Sequence, residues 1–285
     1  MAEISAAEVK KLRDITGAGP MECKKALIDS NGDFAAAEKL LKEKGLAAVE
    51  KRSGRATNEG KVFVKIGGDG KQAVLVELAS ETDFVARNPE FIALGGAIAD
   101  RALEKGIGEP VEELSAMVTD LATRIRENMS LKRLRLVKAG ADEYLCSYVH
   151  GDGNIGVVVK FGAGRPGFFE DEEAKNFAFT FALHIAAFNP LALDRGKVDQ
   201  DFLREQEEIF RKQTEQDEKM QGKPAGVIEN ILKGKVNKYL AEICLMEQGY
   251  VKDEKFTVAQ ALEDFGKKAG AKMTINEYVY FKVGG

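Results

Sequence analysis

Apolar and polar positions follow two different periods along this chain. Up to about residue 45 the apolar positions recur three or four residues apart, which is the period of a helix. Ser5, Pro20 and Asp33 are suited to begin helices, as a capping box, a first-turn proline and an N-cap. Gly17 and Gly45 are suited to end them. The pattern therefore predicts three short helices.

From residue 61 the apolar positions alternate with polar ones, and this second pattern occurs twice. The first hairpin has strands at 61–66 and 73–78, and the second at 144–149 and 155–161, each with a glycine-rich turn. A helical pattern follows each hairpin. Each copy then ends on a strand that begins with methionine, Met129 in one copy and Met273 in the other. We therefore predict an internal repeat.

The second copy contains an additional segment of about 60 residues between Pro190 and Lys252. Its pattern predicts two charged helices, at 199–221 and 224–248, joined at Gly222-Lys223-Pro224. Two consecutive helices joined by a short loop favour an antiparallel helical hairpin.

These elements predict an α+β protein with two related α/β core subdomains, each built on an antiparallel sheet. We expect a helical module at 1–50, a linker at 51–60, a first core subdomain at 61–140 and a second at 141–285. The helical hairpin would be inserted in the second subdomain at about 194–250.

Composition and charge narrow the possible partners. The 285 residues are 44% hydrophobic and 31% charged, which is typical of a folded protein, and the net charge is −4. Binding many phosphates requires a positive excess, so we expect no nucleic-acid partner. The most basic stretch, 124–138, is interpreted chiefly as a solvated strand face, with RNA contact as the alternative.

Cysteine spacing and the amino-terminal sequence indicate where the protein acts. Cys23, Cys146 and Cys244 lie far apart without CxxC spacing, which favours buried thiols in a reducing compartment over a metal site. No apolar run approaches the ~20 residues needed to cross a membrane, and the first residues have no targeting character. We expect a cytoplasmic protein without a membrane partner.

Candidate catalytic residues are few. His184 lies in an apolar helical stretch and is interpreted as a core histidine. His150 begins a hairpin turn, where contact with a partner and a purely local role are equally consistent with the sequence. Gly67–Lys71 has the wrong length and context for a phosphate-binding loop. We therefore expect a protein that is not an enzyme and has no cofactor.

The segment Glu81–Val85 differs in kind from its surroundings. Asn88 and Pro89 are a strong helix start, which places Asp83 and Phe84 on the connection between a strand and a helix. An aromatic ring beside a carboxylate on an anchored loop is suited to enter a partner's apolar crevice. The alternative, which the local pattern alone favours, is that Phe84 is a core residue beneath the helix.

Several strings in the chain resemble the elongation factor Ts family, the guanine-nucleotide exchange factors of bacterial translation. The resemblance covers essentially the whole chain. Its strings are 9–13, 16–19 and 23–27 near the amino terminus, the signature at 81–88, and 184–187, 189–190, 222–224 and 242–245 in the second half. The stretch Gly164–Phe169 departs from the family's pattern.

This resemblance implies a fold, a partner and a set of contact residues. The amino-terminal helices would form a module like ubiquitin-associated domains, and the partner would be elongation factor Tu with bound GDP. The factor would bind no nucleotide itself. Asp83 and Phe84, with Thr82 and Val85 beside them, would insert near the magnesium site of the partner's GTPase domain. Further contacts are implied for Val9, Leu12, Arg13, Met21, Ile125 and His150. An adaptor that only holds partners through the amino-terminal module is the alternative function.

Overall fold

The computed structural model of the protein describes residues 4–217 and 223–285. These residues form two compact units. The first contains the described residues up to Lys138, together with Val149–Gly156 and Phe281–Gly285. The second contains Ala139–Tyr148 and Val157–Tyr280. The four-part domain division given above stays a prediction.

Three helices open the first unit, as the apolar periodicity predicts. They are α1 (Ala6–Thr16), α2 (Pro20–Asp29) and α3 (Phe34–Arg52). The capping box of Ser5 and Glu8 is formed, and Asp33 caps α3. The helices pack around a small apolar core of Leu12, Cys23, Ala26, Leu27, Ala37 and Leu41.

The prediction that Gly45 ends the third helix is wrong, because α3 continues to Arg52. A Cβ atom at Gly45 would lie 3.2 Å from the Cβ of Thr123, in the helix Glu112–Ile125. The glycine therefore permits a close approach of two helices. Its cost to an internal helix position is only about 1 kcal/mol, which packing against a second helix offsets. The first strand begins at Glu59, seven residues after the end of α3.

An antiparallel three-stranded sheet follows, in the order β1-β2-β3. Its strands are β1 (Glu59–Ile66), β2 (Gln72–Ser80) and β3 (Met129–Lys138). Between β2 and β3 lie the short helix α4 (Asp83–Ala86) and the longer helices α5 (Pro89–Lys105) and α6 (Glu112–Ile125). The helices cover one face of the sheet and share a core that includes Val76, Leu78, Phe91, Ile98, Leu114 and Leu121.

The second copy repeats this order of elements with an insertion. Strands β4 (Glu143–His150) and β5 (Ile155–Ala163) are followed by helix α7 (Glu172–Phe188). After the inserted helices come β6 (Gly249–Tyr250), β7 (Asp253–Thr257), α10 (Val258–Ala269) and β8 (Met273–Lys282). The sheet order β4-β5-β8 corresponds to β1-β2-β3. The α+β class and the repeat are confirmed.

The insertion is an antiparallel pair of helices, α8 (Gln200–Glu215) and α9 (Ala225–Ile243). Lys235 donates to Thr214 at 2.8 Å, and Tyr239 packs edge-on against Phe210 at 5.5 Å between ring centroids. Both helices are shorter than predicted. Helix α9 ends because Cys244 is extended and a 3-10 turn follows it. Residues 218–222, including the predicted junction residue Gly222, lie outside the described residues.

Candidate partner-binding site

Phe84 is the most exposed large apolar side chain among the described residues, with 80% of its surface accessible. It lies on α4, a single turn of helix, beside the buried side chains of Val85 and Ala86. The alternative that Phe84 is a core residue is therefore wrong. The two small apolar neighbours hold the turn against the core while the ring of Phe84 points into solvent.

Hydrogen bonds fix the start of this turn. The Thr82 hydroxyl accepts from the amide of Val85 at 3.4 Å, as the N-cap of α4. The same hydroxyl donates to the carboxylate of Glu127 at 2.9 Å, and the Thr82 amide donates to that carboxylate at 3.2 Å. Ser80 donates to the carbonyl of Thr82 at 2.9 Å. Asp83 and Phe84 thus follow a residue whose backbone and side chain are both restrained.

A second set of hydrogen bonds supports the residue before the cap. The Glu81 carboxylate accepts from the amide of Asn128 at 2.6 Å and from the Arg55 guanidinium at 3.3 Å. The buried side-chain amide of Asn128 donates to the carbonyls of Ser53 and Arg55, at 3.2 and 2.7 Å. The chain that leaves α3 is therefore tied to the base of the Phe84 turn.

Asp83 is paired with Arg87 one turn later, at 3.0 Å, and both side chains are largely accessible. An exposed ion pair at this spacing contributes only about 0.3–0.5 kcal/mol. The Asp83 carboxylate can therefore exchange Arg87 for another partner at little cost. The pKa of Asp152 is lowered, chiefly by its hydrogen bond and charge contact with Lys61 and to a lesser degree by Arg87. Arg87 therefore favours the charged form of Asp152 in addition to pairing with Asp83.

The turn that carries His150 is held by a buried lysine. The Lys61 ammonium is 2.6 Å from the Asp152 carboxylate and donates to the Asp152 carbonyl at 2.7 Å, while only 8% of its side chain is accessible. Asp152 adopts a left-handed conformation with φ of 55°, which the two contacts with Lys61 stabilise. The exposed side chain of His150 begins this turn.

The amino-terminal contact residues differ in accessibility. Met21 is 76% exposed and Arg13 is exposed, whereas Val9 is half-buried. Leu12 is fully buried in the core of the helical module, and Val85 is 6% exposed. The prediction that Leu12 and Val85 are contact residues is therefore not kept, because neither presents a surface to a partner.

The end of α6 lies beside the amino-terminal module. Arg126 forms an ion pair with Glu22, the residue after Met21. The pKa of Glu22 is lowered first by the Gly19 amide that donates to it and then by Arg126. Ile125, half-buried, packs against the core of the first unit next to this pair. The structure thus brings Met21 and Ile125 to the same end of α6.

The interpretation of 124–138 as a solvated strand face is only partly right. Arg124 and Arg126 precede β3 and pair with Glu90 and Glu22. Arg133 pairs with Glu77, which is 2% exposed. Three of the basic side chains are therefore matched by carboxylates, and less positive charge is left to attract phosphates.

The two histidines have different surroundings. His184 is fully buried, as predicted: Nδ1 accepts from the Val251 amide at 3.2 Å, and Nε2 lies 2.9 Å from the side-chain oxygen Oε1 of Gln248. An accepting Nδ1 leaves the proton on Nε2, which donates to Gln248. Burial lowers the pKa of His184, so the ring is neutral at neutral pH.

Sequence reasoning missed the residues that hold the site: Arg55, Lys61, Glu81 as an acceptor, Glu127 and Asn128. Only the N-cap of α4 left a local signal, the threonine three residues before Val85. Glu127 is 45 positions from Thr82, and Asp152 is 91 positions from Lys61. No spacing rule relates residues that far apart.

In the described parts of the chain, residues 4–217 and 223–285, no group of three or more histidine, cysteine or acidic residues is placed to hold a metal ion. No helix in these parts is long and apolar enough to cross a membrane.

Comparison with known proteins bears directly on this geometry. The sequence model of the family described as Elongation factor TS matches residues 81–285, and its match begins at Glu81. An Elongation factor Ts of Treponema denticola is 50% identical over 282 residues, which cover 99% of each chain. The chain belongs to the elongation factor Ts family.

Other relatives give the same result across the full length. The Elongation factor Ts of Treponema pallidum is 45% identical over 99% of both chains, and that of Borreliella burgdorferi is 40% identical over the whole of both. Membership of the elongation factor Ts family makes this chain a translation elongation factor. The Phe84 turn and its partners Glu127 and Asn128 lie within the matched residues.

Proposed function

We propose that the protein is a guanine-nucleotide exchange factor for elongation factor Tu, and that Phe84 and Asp83 are its working residues. The observation that carries the proposal is the 80% exposure of Phe84 on a turn whose base is fixed by hydrogen bonds. A large apolar side chain in water has no stabilising role in its own chain. It does have one in the crevice of a partner.

The mechanism follows from linkage. If the protein binds the nucleotide-free form of its partner more tightly than the GDP form, it weakens GDP binding by the same factor. Each 1.4 kcal/mol of such coupling is about tenfold in affinity. GTP, once bound, then expels the exchange factor through the same coupling in reverse. The protein makes no covalent bond in this cycle, and it needs no cofactor.

Asp83 supplies the charge in this mechanism. The magnesium ion of a GTPase neutralises much of the local phosphate charge, so disturbing its supporting groups weakens GDP. Asp83 is held by an exposed pair with Arg87, and it can exchange this partner for a group in the GTPase. Phe84 would displace apolar support around the ion while Asp83 redirects polar groups.

The other predicted contact residues form a second binding surface for the partner, which we call the grip. Met21 and Arg13, with the half-buried Val9, are the amino-terminal part of it, and Ile125 and His150 are its parts on the core. Leu12 and Val85 enter the proposal as supporting residues, because their side chains are buried. Contacts at several places let the binding energy of the whole complex support the insertion of Asp83 and Phe84, which we call the wedge.

The test is release of labelled GDP from elongation factor Tu, measured with and without this protein. We expect the wild-type protein to accelerate release and Phe84→Ala to lower the accelerated rate by at least about tenfold, the effect of about 1.4 kcal/mol of coupling. Phe256→Ala is the matched control, because Phe256 is also exposed (42%) but belongs to no predicted contact. It should keep the wild-type rate.

Two results would count against the proposal. Binding of elongation factor Tu without acceleration of GDP release would favour the adaptor function, with the exposed Met21 as part of its surface. Acceleration that survives Phe84→Ala unchanged would remove the wedge role but leave exchange itself in place.

A further inference from the structure

The connection between α6 and β3 consists of three consecutive residues that reach three different places. Arg126 pairs with Glu22 of the helical module. Glu127 holds Thr82, the cap of the Phe84 turn. Asn128 holds the carbonyls of Ser53 and Arg55, in the segment that leaves α3. This connection is therefore a junction between the helical module and the Phe84 turn.

Glu127 makes the contact that orients the turn. Its carboxylate takes both donors of Thr82, the amide at 3.2 Å and the hydroxyl at 2.9 Å. A threonine hydroxyl has one proton and two lone pairs. Because the proton is directed to Glu127, the lone pairs are left to accept from the Val85 amide, the bond that starts α4. Bonds to an ionised acceptor are about twice as strong as neutral ones.

This arrangement affects the position of Phe84 more than it affects the fold of the first unit. Helix α4 has only four residues, too few to be stable on its own, and its buried anchors Val85 and Ala86 lie after Phe84. Before Phe84, the chain is restrained at the cap residue Thr82. Without Glu127, the cap keeps the bond from Ser80 to the Thr82 carbonyl but loses the two bonds that orient its amide and its hydroxyl.

We propose that Glu127 is a positioning residue for nucleotide exchange: its carboxylate orients the Thr82 cap and thereby aims Phe84 at the partner. The proposal rests on the exchange function proposed above. Asn128 and Glu81 join the same base to the segment that leaves α3, so the grip and the wedge are set from one junction. Glu127 touches neither nucleotide nor magnesium in this role.

Two variants test it in the full-length chain. Glu127→Ala removes both acceptors of Thr82, and Glu127→Gln keeps the shape and one acceptor oxygen. We expect the maximal rate of GDP release at saturating factor to fall about tenfold for the alanine variant, equivalent to about 1.4 kcal/mol, and less for the glutamine variant. The factor concentration at half-maximal rate should change little, because the grip is intact.

The matched control is Glu113→Ala, which removes an exposed carboxylate of the same unit that pairs with Lys105 and Arg101. It should behave as wild type. If Glu127→Ala does not fold, as judged by circular dichroism and thermal unfolding, the isosteric Glu127→Gln variant decides. A maximal rate for Glu127→Gln that equals the wild-type rate would overturn the proposal.

A double-mutant cycle separates positioning from a general structural effect. If Glu127 acts through Phe84, adding Glu127→Ala to Phe84→Ala should lower the exchange rate no further. Independent, additive losses would overturn the proposal, because they would mean that Glu127 acts elsewhere.

The cycle also separates this proposal from the one on which it rests. If the wild-type protein fails to accelerate GDP release, the exchange function fails. If Phe84→Ala has no effect, the wedge role fails. If Phe84→Ala lowers the rate while both Glu127 variants keep it, only the positioning role is lost.

Discussion

The two copies of the repeat use the same place in the fold for opposite purposes. In the first copy the strand β2 is followed by the turn that carries Phe84, and in the second the strand β5 is followed by a 3-10 turn, Phe168–Glu170. Each turn leads into the next long helix through an N-cap, Asn88 in one copy and Asp171 in the other. Yet Phe84 is 80% exposed and Phe168 is 2% exposed.

The surroundings of the two rings explain the difference. Phe168 packs edge-on against Phe265 of α10, at 6.3 Å between centroids, and against Phe169 at 5.1 Å. Phe169 in turn stacks on Tyr144 at 4.9 Å. Aromatic rings in such a cluster add about 0.5–1.5 kcal/mol for each pair beyond their burial. The turn of the second copy is part of a core.

The residues that precede the two rings also differ between the copies. Gly167 precedes Phe168 in a left-handed conformation with φ of 69°, which lets the chain turn inward. Thr82 stands in a comparable place before Asp83 and Phe84, with extended backbone, and its amide and hydroxyl donate to Glu127. A duplicated scaffold can thus place a phenylalanine in a core or in solvent, depending on what anchors the turn.

The largest effect on stability should come from the buried ring. Phe168→Ala removes a fully packed aromatic side chain, and such a change costs about 3–5 kcal/mol of the free energy of unfolding. Chemical denaturation of the purified chain measures it, with the exposed Phe256→Ala as control. A loss below about 1 kcal/mol would mean that Phe168 is not a core residue, and the contrast between the two turns would disappear.

A smaller, pH-dependent effect should come from His184, also in the second copy. Burial lowers its pKa in the folded state below the ordinary value near 6.5. The unfolded chain therefore binds the proton more readily than the folded one. The stability due to the neutral ring is present above about pH 6.5 and is lost as the pH falls below it, by at most about 1.4 kcal/mol per pH unit.

The measurement for His184 is the free energy of unfolding at pH 7.5 and pH 5.5, for the wild type and for His184→Gln. Glutamine does not titrate, so the variant should lose less stability between the two pH values than the wild type loses. Equal losses would show that other groups, and not His184, cause the pH dependence.

The sequence predicts the scaffold of both copies better than the site. Hairpins, helices and closing strands have local periods, and Met129 and Met273 mark the closing strands of both copies. The inserted helices were also found, although their ends were placed too far out. The prediction that Gly45 ends a helix was wrong because this glycine serves a tertiary contact: it lets α3 approach Thr123.

The contrast between the two turns has no local signal. Phe84 and Phe168 both follow a strand and precede a capped helix, and the pattern favoured burial for Phe84. The residues that hold the Phe84 turn, Thr82 and Glu127, are 45 positions apart. The family resemblance pointed to Asp83 and Phe84 through their signature, but it did not point to Glu127.

The smallest effect on stability should come from Phe84→Ala, and its smallness is informative. Because the ring is 80% exposed, its removal forfeits little packing, and the free energy of unfolding should change by no more than about 0.5 kcal/mol. The same denaturation experiment measures it beside Phe168→Ala. A loss of 2 kcal/mol or more, roughly the value for a buried side chain, would mean that the ring packs against its own chain in solution. A neutral result, together with slower GDP release, would separate the function of the first turn from the stability provided by the second.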